Sequence, residues 1–400
     1  MFCALAFRRH GNPAKVVGPV EIPLPGRLGA DQVHLRFLAS PVNPADINQI
    51  QGVYPVKPRF IHKDITVGGN RVLGEHGYAI GGNEGVALVL EVGDAVQSIK
   101  AGDWVLPDTP SFGTWRTEAV CLPKDLLKID NRGGKVDILT AATVAVNPCS
   151  AYRMIQDNYA FLDEHQADNL QGIASGIAGK VHRDDVHRDE VKDEVKDGGK
   201  VQRDEVKGSG KVLIQNGGNS AVGQSVIQLA RSWGIRTISI VRHRAEMEQT
   251  RSWLAGLGAD MVVDADELSK SPAQVAEEIQ ARFGRLPRLA LNCVGGRNAS
   301  DMMRLLGKDA RMVTYGGMSR EPLTVPTGPL IFRNLQCTGF WLTEWISRMR
   351  HTDPLAKGRM IQDILDLSAN GGFTHPACRS LSWAASDPSP LALDLAGKEK

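Results

Sequence analysis

The sequence predicts an α/β protein with an irregular β domain first and a domain built on a parallel sheet second. Its 400 residues are too many for one simple sheet and enough for two sizeable cores. Residues 1 to about 147 combine Gly- and Pro-rich turns with short apolar runs such as DQVHLRFLAS, a pattern typical of short strands. From Lys211 onward, apolar runs alternate with helical patterns of about 10–15 residues, which indicates βαβ units.

The composition is that of an ordinary globular protein, with 42% hydrophobic and 23% charged residues. No apolar run approaches the roughly 18 residues that a membrane span needs. The net charge of +2 gives no electrostatic basis for binding nucleic acid. We therefore expect neither a membrane span nor a nucleic-acid partner.

The six cysteines lie far apart, with no CxxC pair and no clustered histidines: Cys3, Cys121, Cys149, Cys293, Cys337 and Cys378. This spacing predicts neither a disulfide framework nor a zinc site, and it is typical of a reducing compartment. No secretory or transit pattern is visible at the first residues.

The parallel-sheet part begins with the strand KVLIQ and the helix SAVGQSVIQLARSWG, whose apolar face contains Val222, Val226, Leu229 and Trp233. The pattern then predicts, in order, the strand RTISIV, a helix over 246–257, the strand DMVVD, a helix over about 272–283, and the strands RLALNCV and RMVTYGG. After about Trp341 the periodicity weakens. We expect the tail, 379–400, to be poorly structured.

Residues 180–207 form a charged run in which valines recur mostly every five residues. A five-residue period places apolar groups on no single face of a helix or strand. Eight basic and nine acidic side chains nearly cancel. We interpret the run as a solvated, largely disordered insertion, with a docking segment as the alternative.

The segment KVLIQNGGNSAVGQSVIQLA joins a strand, a Gly-rich turn and a helix N-terminus. Backbone N–H groups and the helix dipole at such a turn can bind a pyrophosphate. The spacing is not a clean GxGxxG, because Gly217 and Gly218 are adjacent and Asn219 stands in a glycine position, although Gly223 suits close helix–strand packing. A purely structural turn is the alternative, and the further βα units favour a dinucleotide site.

The next strand, RTISIVRHR, ends in Arg242, His243 and Arg244, where an NAD site usually has an acidic residue. No carboxylate occupies this position in the strand. Guanidinium groups match a 2′-phosphate, so the sequence predicts NADPH as the cofactor. A solvated basic turn is the alternative.

A catalytic zinc needs converging Cys or His ligands with one open position. The segment SPVNPADINQIQG contains neither residue type, and GGNEGV places Asn83 directly before Glu84. His62 and His76 have no partner at ligand spacing. We therefore predict a site without metal.

Without a metal, the candidate proton donor is Tyr54 in IQGVYPV, one of five tyrosines. A phenol stays protonated at neutral pH and can deliver a proton to a carbanion or enolate. Taken alone, a tyrosine at such a position is more often a packing residue than a catalytic one.

Ten ordered motifs over residues 10 to about 345 resemble the zinc-free enoyl-thioester reductases of the medium-chain dehydrogenase/reductase superfamily, in particular the mitochondrial enoyl-[acyl-carrier-protein] reductase (trans-2-enoyl-CoA reductase) family: HGNPAKVV, PVNPADINQIQGVYP, GGNEGVALVLEVG, GDWVLP, GTWRTEAV, AATVAVNPCSAYRM, VLIQNGGNSAVGQSVIQLA, LALNCVGG, MVTYGGMS and FWLTEW. The resemblance implies a GroES-like catalytic domain over 1–147, a Rossmann domain with a doubly wound parallel sheet over 148–340, and a return to the catalytic domain over 341–400.

The resemblance also implies an activity and partners. These are the NADPH-dependent reduction of trans-2-enoyl thioesters on acyl carrier protein or CoA, a role in mitochondrial fatty acid synthesis, a mitochondrial location and a homodimer. Tyr54 matches the catalytic tyrosine of the family, and Asn147 matches an asparagine that contacts the cofactor. The other implied cofactor positions are Asn219, Ser220, Ala221 and Val222 at the turn, Arg242, His243 and Arg244 at the 2′-phosphate, Tyr315, Gly316, Gly317 and Met318 in a loop, and Phe340, Trp341, Leu342 and Thr343 at the nicotinamide.

The chain departs from the family pattern in several places. Ala221 stands where glycine is common, and His243 replaces an acidic residue. About 16 residues after Tyr54 have no counterpart, and the family's closing strand with its cofactor-contacting lysine cannot be matched after THPACRSLSW, so we expect a truncated return to the catalytic domain. A zinc-free quinone reductase and a catalytically impaired NADPH-binding homologue are the alternative functions. Phe332, Phe340 and Trp341 are candidates for an apolar acyl pocket or for core positions.

Overall fold

The computed structural model describes residues 1–62, 65–67, 70–72, 77–162, 210–379 and 381. The charged run over 180–207 and nearly all of the tail after 379 lie outside the described residues. The chain divides into two compact units, one comprising Met1–Tyr152 and Leu342–Lys400 and the other Arg153–Trp341.

The first unit contains two antiparallel five-stranded sheets, with strand orders β5-β4-β2-β1-β6 and β10-β8-β7-β3-β9. The strands are β1 Phe2–Phe7, β2 Gly18–Ile22, β3 Val33–Ala39, β4 Ile65–Val67, β5 Asn70–Val72, β6 Ala79–Ile80, β7 Val86–Val92, β8 Trp104–Pro107, β9 Glu118–Cys121 and β10 Leu126–Ile129. Its helices are α1 Pro13–Val16, α2 Pro44–Gln51, α3 Ile138–Thr143, α4 Asn147–Gln156, which continues into the second unit, and, after the second unit, α11 Leu342–Thr352 and α12 Ala356–Ala369.

The second unit contains one six-stranded parallel sheet of order β13-β12-β11-β14-β15-β16. Its strands are β11 Val212–Asn216, β12 Arg236–Val241, β13 Met261–Asp264, β14 Leu289–Asn292, β15 Arg311–Thr314 and β16 Gln336–Gly339. Its helices are α5 Ala221–Ser232, α6 Met247–Leu257, α7 Ala265–Lys270, α8 Pro272–Phe283, α9 Gly296–Arg304 and α10 Thr327–Arg333. This strand order is that of a doubly wound dinucleotide-binding sheet, so the predicted fold class is confirmed.

The burial of β11 is that of a strand in a parallel sheet. All five of its residues are buried, because helices cover both faces of such a sheet. Its first three residues are apolar, and the buried amides of Gln215 and Asn216 donate hydrogen bonds to the carbonyl of Gly223 and to Oδ1 of Asn292. Helix α5 buries Val222, Val226 and Leu229 as its periodicity predicts. Helix α8 begins at Pro272 and ends at Gly284, whose positive φ of +75° stops the helix.

Several elements were not predicted. Two helices, α11 and α12, follow Trp341, where the apolar periodicity is weak. Part of the segment after Tyr54 that has no family counterpart forms the hairpin of β4 and β5, and Thr66 pairs with Glu21 of β2. In the part of the chain that the structure describes, no helix has both the length and the apolar character to cross a bilayer.

Candidate active site

The Gly-rich turn connects β11 to α5 in the second unit. Gly217 has a φ of +60°, and a Cβ at Gly223 would lie 2.5 Å from the carbonyl oxygen of Gly217, so both positions require glycine. The hydroxyl of Ser220 accepts a hydrogen bond of 3.1 Å from the N–H of Gly223 and caps the helix.

Three backbone N–H groups of this turn, those of Asn219, Ala221 and Val222, have no acceptor among the described residues. Uncapped N–H groups at the positive end of a helix dipole form an anion site. This geometry fits the pyrophosphate of a dinucleotide.

The basic turn after β12 is exposed, and neither Arg242 nor Arg244 forms an ion pair with any residue that the structure describes. Both guanidinium groups are therefore available to an anion. His243 differs, because its Nδ1 lies 2.5 Å from Oδ2 of Asp264.

Asp264 is a residue that sequence reasoning missed. It ends β13, and the parallel register pairs it with Val241 of β12, directly before the basic turn. Burial raises the pKa of the Asp264 carboxyl, but the hydrogen bonds from His243 and from the N–H of Asp266, together with the charges of His243 and Arg251, outweigh this effect, and the net shift is downward. The same hydrogen bond raises the pKa of His243, so His243 retains positive charge to a higher pH than a free imidazole. A carboxylate is thus present beside the basic turn, but it is neutralised by His243.

Tyr54 lies in a short loop that follows α2 in the first unit. Helix α2 ends at Gly52, whose φ of +81° places it in the left-handed region. The N–H groups of Val53 and Tyr54 both donate to the carbonyl of Asn48, at 3.0 Å and 3.2 Å. The backbone at Tyr54 is therefore bonded directly to the end of the helix, and its side chain is half-buried.

The rest of the Tyr54 loop is held by polar side chains. The amide of Gln49 donates to the carbonyl of Val56 at 3.1 Å and to Oγ of Ser111 at 2.8 Å. Ser111 donates in turn to the carbonyl of Lys57 at 3.0 Å. Asn83 donates to Oε1 of Gln49 at 3.0 Å. A loop with this many side-chain bonds is preorganised, as a proton donor requires.

A second line of hydrogen bonds joins Glu84, Asn43 and Asn147. Nδ2 of Asn43 donates to Oε1 of Glu84 at 2.7 Å, and Nδ2 of Asn147 donates to Oδ1 of Asn43 at 2.9 Å. Asp46 connects this line to the Tyr54 loop, because its carboxylate accepts from the N–H of Asn43 and from Asn83, both at 2.7 Å. Tyr54 and Asn147 are therefore brought into one hydrogen-bonded network of the first unit.

Burial raises the pKa of Glu84 to about 8, although the hydrogen bond from Asn43 opposes the shift. A carboxyl whose pKa is raised on folding contributes stability that is fully present below its unfolded value of 4.5 and is lost as pH rises through 8.

We expect the free energy of unfolding to fall between pH 5 and 8.5, with Glu84 responsible for on the order of 3–5 kcal/mol of the change. Glu84→Gln removes the titration, so its stability should depend less on pH over the same window. Denaturant unfolding at pH 5 and at pH 8.5 gives the change in the free energy of unfolding for each protein. Equal changes in the unmodified protein and in Glu84→Gln would contradict the assignment of this titration to Glu84.

The remaining predicted cofactor residues are spread over the two units. Tyr315 lies after β15 with a buried hydroxyl, and burial raises its pKa well above the usual range, so this phenol is a poor proton donor. Gly316, Gly317 and Met318 follow it, and Met318 is exposed. Phe340 and Trp341 belong to the second unit, whereas Leu342 and Thr343 begin α11 in the first.

The candidates for the acyl pocket are not core residues. Phe332 is 81% exposed and Trp341 is 41% exposed. Phe340 is half-buried, and its N–H donates to the carbonyl of Thr314.

The polar groups around Glu84 do not fit a zinc site, since they include no Cys or His and bond with one another. Among the described residues, one group brings three metal-binding side chains within 4.8 Å of one another: His243, Asp264 and Asp266. Two of these are exposed, and the group lies at the basic turn of the second unit.

The sequence of this chain is similar to those of known oxidoreductases. Residues 221–357 match a family model described as zinc-binding dehydrogenase. The mitochondrial enoyl-[acyl-carrier-protein] reductase of Homo sapiens is 36% identical over 377 residues, which cover 94% of this chain and 81% of that protein. The protein of the same description from Yarrowia lipolytica is 35% identical over 374 residues, covering 93% and 81%.

Solved structures agree with these relatives. The mitochondrial 2-enoyl thioester reductase Etr1p/Etr2p heterodimer from Candida tropicalis is 30% identical with a TM-score of 0.77, and the match covers 100% of this chain and 98% of that chain. The Etr1p complex with NADP and crotonyl-CoA is 30% identical with a TM-score of 0.76, covering 100% and 97%. The quinone oxidoreductase of Escherichia coli, at 17% identity and a TM-score of 0.62, shares the fold.

Proposed function

We infer that this chain, which belongs to the mitochondrial enoyl-[acyl-carrier-protein] reductase family, reduces the carbon–carbon double bond of trans-2-enoyl thioesters with NADPH. The membership confirms the resemblance of the motifs. The observation that supports the activity in this chain is the Tyr54 loop, in which Gln49, Ser111 and Asn48 hold a half-buried phenol at the end of α2.

The chain's own residues would bind NADPH in the second unit. The free N–H groups of Asn219, Ala221 and Val222 match its pyrophosphate, and Arg242 and Arg244 match its 2′-phosphate. His243 lies between the two arginines and is paired with Asp264, so Arg242 and Arg244 supply the unpaired positive charge of the turn. When bound, NADPH supplies the hydride that adds to the β-carbon of the substrate.

Tyr54 completes the reduction with a proton. As the hydride adds, negative charge builds on the thioester oxygen and the α-carbon becomes basic. The Tyr54 hydroxyl donates its proton to the α-carbon, so the product gains one hydride and one proton and contains a saturated acyl group. The bonds of Gln49 and Ser111 keep the loop in place during this step.

The acyl group would be carried on acyl carrier protein or CoA, and the enzyme would work in mitochondrial fatty acid synthesis. Relatives named as mitochondrial enzymes support this location. We propose domain boundaries near 147 and 340 from the family resemblance, with the catalytic part on both sides of the cofactor-binding part.

The assay that tests the function compares a trans-2-enoyl-CoA with a quinone as the NADPH-dependent substrate. Formation of the saturated thioester, identified by mass, is the expected result. Quinone turnover without thioester reduction would instead establish the alternative activity that the shared fold permits.

We also propose that the protein is a homodimer. Strand β16 is the edge of the parallel sheet and is largely exposed, and the neighbouring helix α10 exposes Leu330, Ile331 and Phe332 at 43%, 66% and 81%. An exposed edge strand beside apolar side chains is typical of a surface that a second copy covers.

Light scattering should therefore give twice the mass of one chain, and Ile331→Asp should shift the protein toward monomer. Leu355→Asp is a matched control, since Leu355 is 70% exposed on the other unit. A monomeric unmodified protein would contradict the proposal.

A further inference from the structure

Glu84, Asn43 and Asn147 form a line of side chains that ends at the first residue of α4. Glu84 is 2% exposed and Asn43 is 8% exposed, so the first two members are buried, whereas Asn147 is partly accessible. The position of Glu84 is itself fixed, because Thr114 donates to its carbonyl oxygen at 2.7 Å.

The hydrogen bonds between these three side chains all run in one direction. Each asparagine side chain has an amino group that donates and a carbonyl oxygen that accepts, so the orientation of one amide determines that of the next. Nδ2 of Asn43 donates to Oε1 of Glu84, so the amino group of Asn43 faces the carboxyl group. Asn43 then presents its carbonyl oxygen to Asn147, and Asn147 must turn its own amino group inward. The carbonyl oxygen of the Asn147 side chain is left without a bond among the described residues.

We propose that Glu84 is a positioning residue that acts through Asn43 to fix which end of the Asn147 amide is offered to NADPH. The proposal rests on the proposed function and on the family resemblance, in which Asn147 matches an asparagine that contacts the cofactor. It assigns a role to a buried carboxyl that the reduction itself does not use.

A carboxyl suits this position better than an amide. Oε2 of Glu84 is buried and accepts no hydrogen bond among the described residues, but the backbone N–H groups of Ala145 and Val146 lie close enough to lower the pKa of the carboxyl. Both carboxyl oxygens can accept, even when one is protonated, but an amide nitrogen cannot. In Glu84→Gln, the new amino group must therefore face either those N–H groups or the amino group of Asn43.

The test measures NADPH binding directly, by fluorescence titration of Glu84→Gln, Asn147→Ala and the double variant. We expect each single change to raise the Kd for NADPH by about tenfold, the cost of one misdirected buried hydrogen bond. The double variant should be no weaker than Asn147→Ala alone, because Glu84 acts through Asn147. Ser40→Ala, which removes the bond from Ser40 to the carbonyl of Thr114, should leave the Kd unchanged.

If the Kd for NADPH of the double variant is about a hundredfold higher than that of the unmodified protein, the effects of the two single changes multiply. Glu84 then acts independently of Asn147, and the proposal is overturned. An unchanged Kd in Glu84→Gln would also overturn it. If Glu84→Gln does not fold, Asn43→Ala replaces it in the same cycle with the same expectation. The Kd for NADPH does not depend on turnover. Failure of this proposal therefore says nothing against the enoyl-thioester activity, and failure of the activity assay does not affect the comparison of the single and double variants.

Discussion

Replacing Tyr54 with phenylalanine is expected to lower the turnover of a trans-2-enoyl thioester by about 10²–10⁴-fold, the usual effect of losing a positioned general acid. The ring and the backbone hydrogen bond to Asn48 remain, and only the O–H is lost. The affinity for NADPH should change little, because Tyr54 is not among the residues assigned to cofactor binding. Steady-state turnover and NADPH titration on the same preparation measure both quantities.

Tyr78→Phe is the matched control for this experiment. Tyr78 belongs to the same unit but is 3% exposed, and burial raises its pKa, so its hydroxyl is a poor proton donor. The turnover of Tyr78→Phe should remain close to that of the unmodified protein. If Tyr54→Phe keeps near-normal turnover, the proton comes from water or from another group, and the assignment of Tyr54 is wrong.

Replacing Arg242 with alanine is expected to reduce the preference for NADPH over NADH by roughly one to two orders of magnitude, the worth of a charge-assisted phosphate contact. Arg242 is exposed and has no ion pair among the described residues, so the substitution removes a cation without breaking another bond. The affinity for NADH should stay nearly constant, because NADH has no 2′-phosphate. Titration of both cofactors gives the two dissociation constants.

Arg282→Ala is the control variant. Arg282 lies in α8, outside the basic turn, and its guanidinium group lies over the ring of Phe283. The cofactor preference of Arg282→Ala should match that of the unmodified protein. Equal affinity of the unmodified protein for NADPH and NADH would refute the assignment of the basic turn as a 2′-phosphate site.

The elements of the parallel sheet could be predicted well, because their patterns are local. The run KVLIQ and the helix beginning at Ser220 differ in period, and Pro272 and Gly284 limit α8 at both ends. The helices after Trp341 could not be predicted, since their apolar residues form a weak pattern and their burial depends on tertiary packing. Leu342 and Trp345 are examples, at 8% and 5% exposure.

The functional residues could be predicted where a single short segment contains all of them, as for Tyr54 and the basic turn. Asp264 was missed because it lies 21 residues after His243 and reaches it only through the register of two parallel strands. Glu84 was considered only as a metal ligand. Its bonds to Asn43 and onward to Asn147 span 41 and 104 residues of sequence, so only the fold brings these side chains together.

The central claim is that hydride from NADPH reaches the β-carbon of an enoyl thioester while Tyr54 delivers a solvent-derived proton to the α-carbon. Isotopic labelling tests it most directly. Reduction of crotonyl-CoA with NADPH carrying deuterium at the transferable position should place that deuterium at the β-carbon. Reduction with unlabelled NADPH in D₂O should place one deuterium at the α-carbon, since the Tyr54 hydroxyl exchanges with solvent. Cofactor deuterium at the α-carbon, or no saturated thioester at all from an NADPH-binding preparation, would contradict the account.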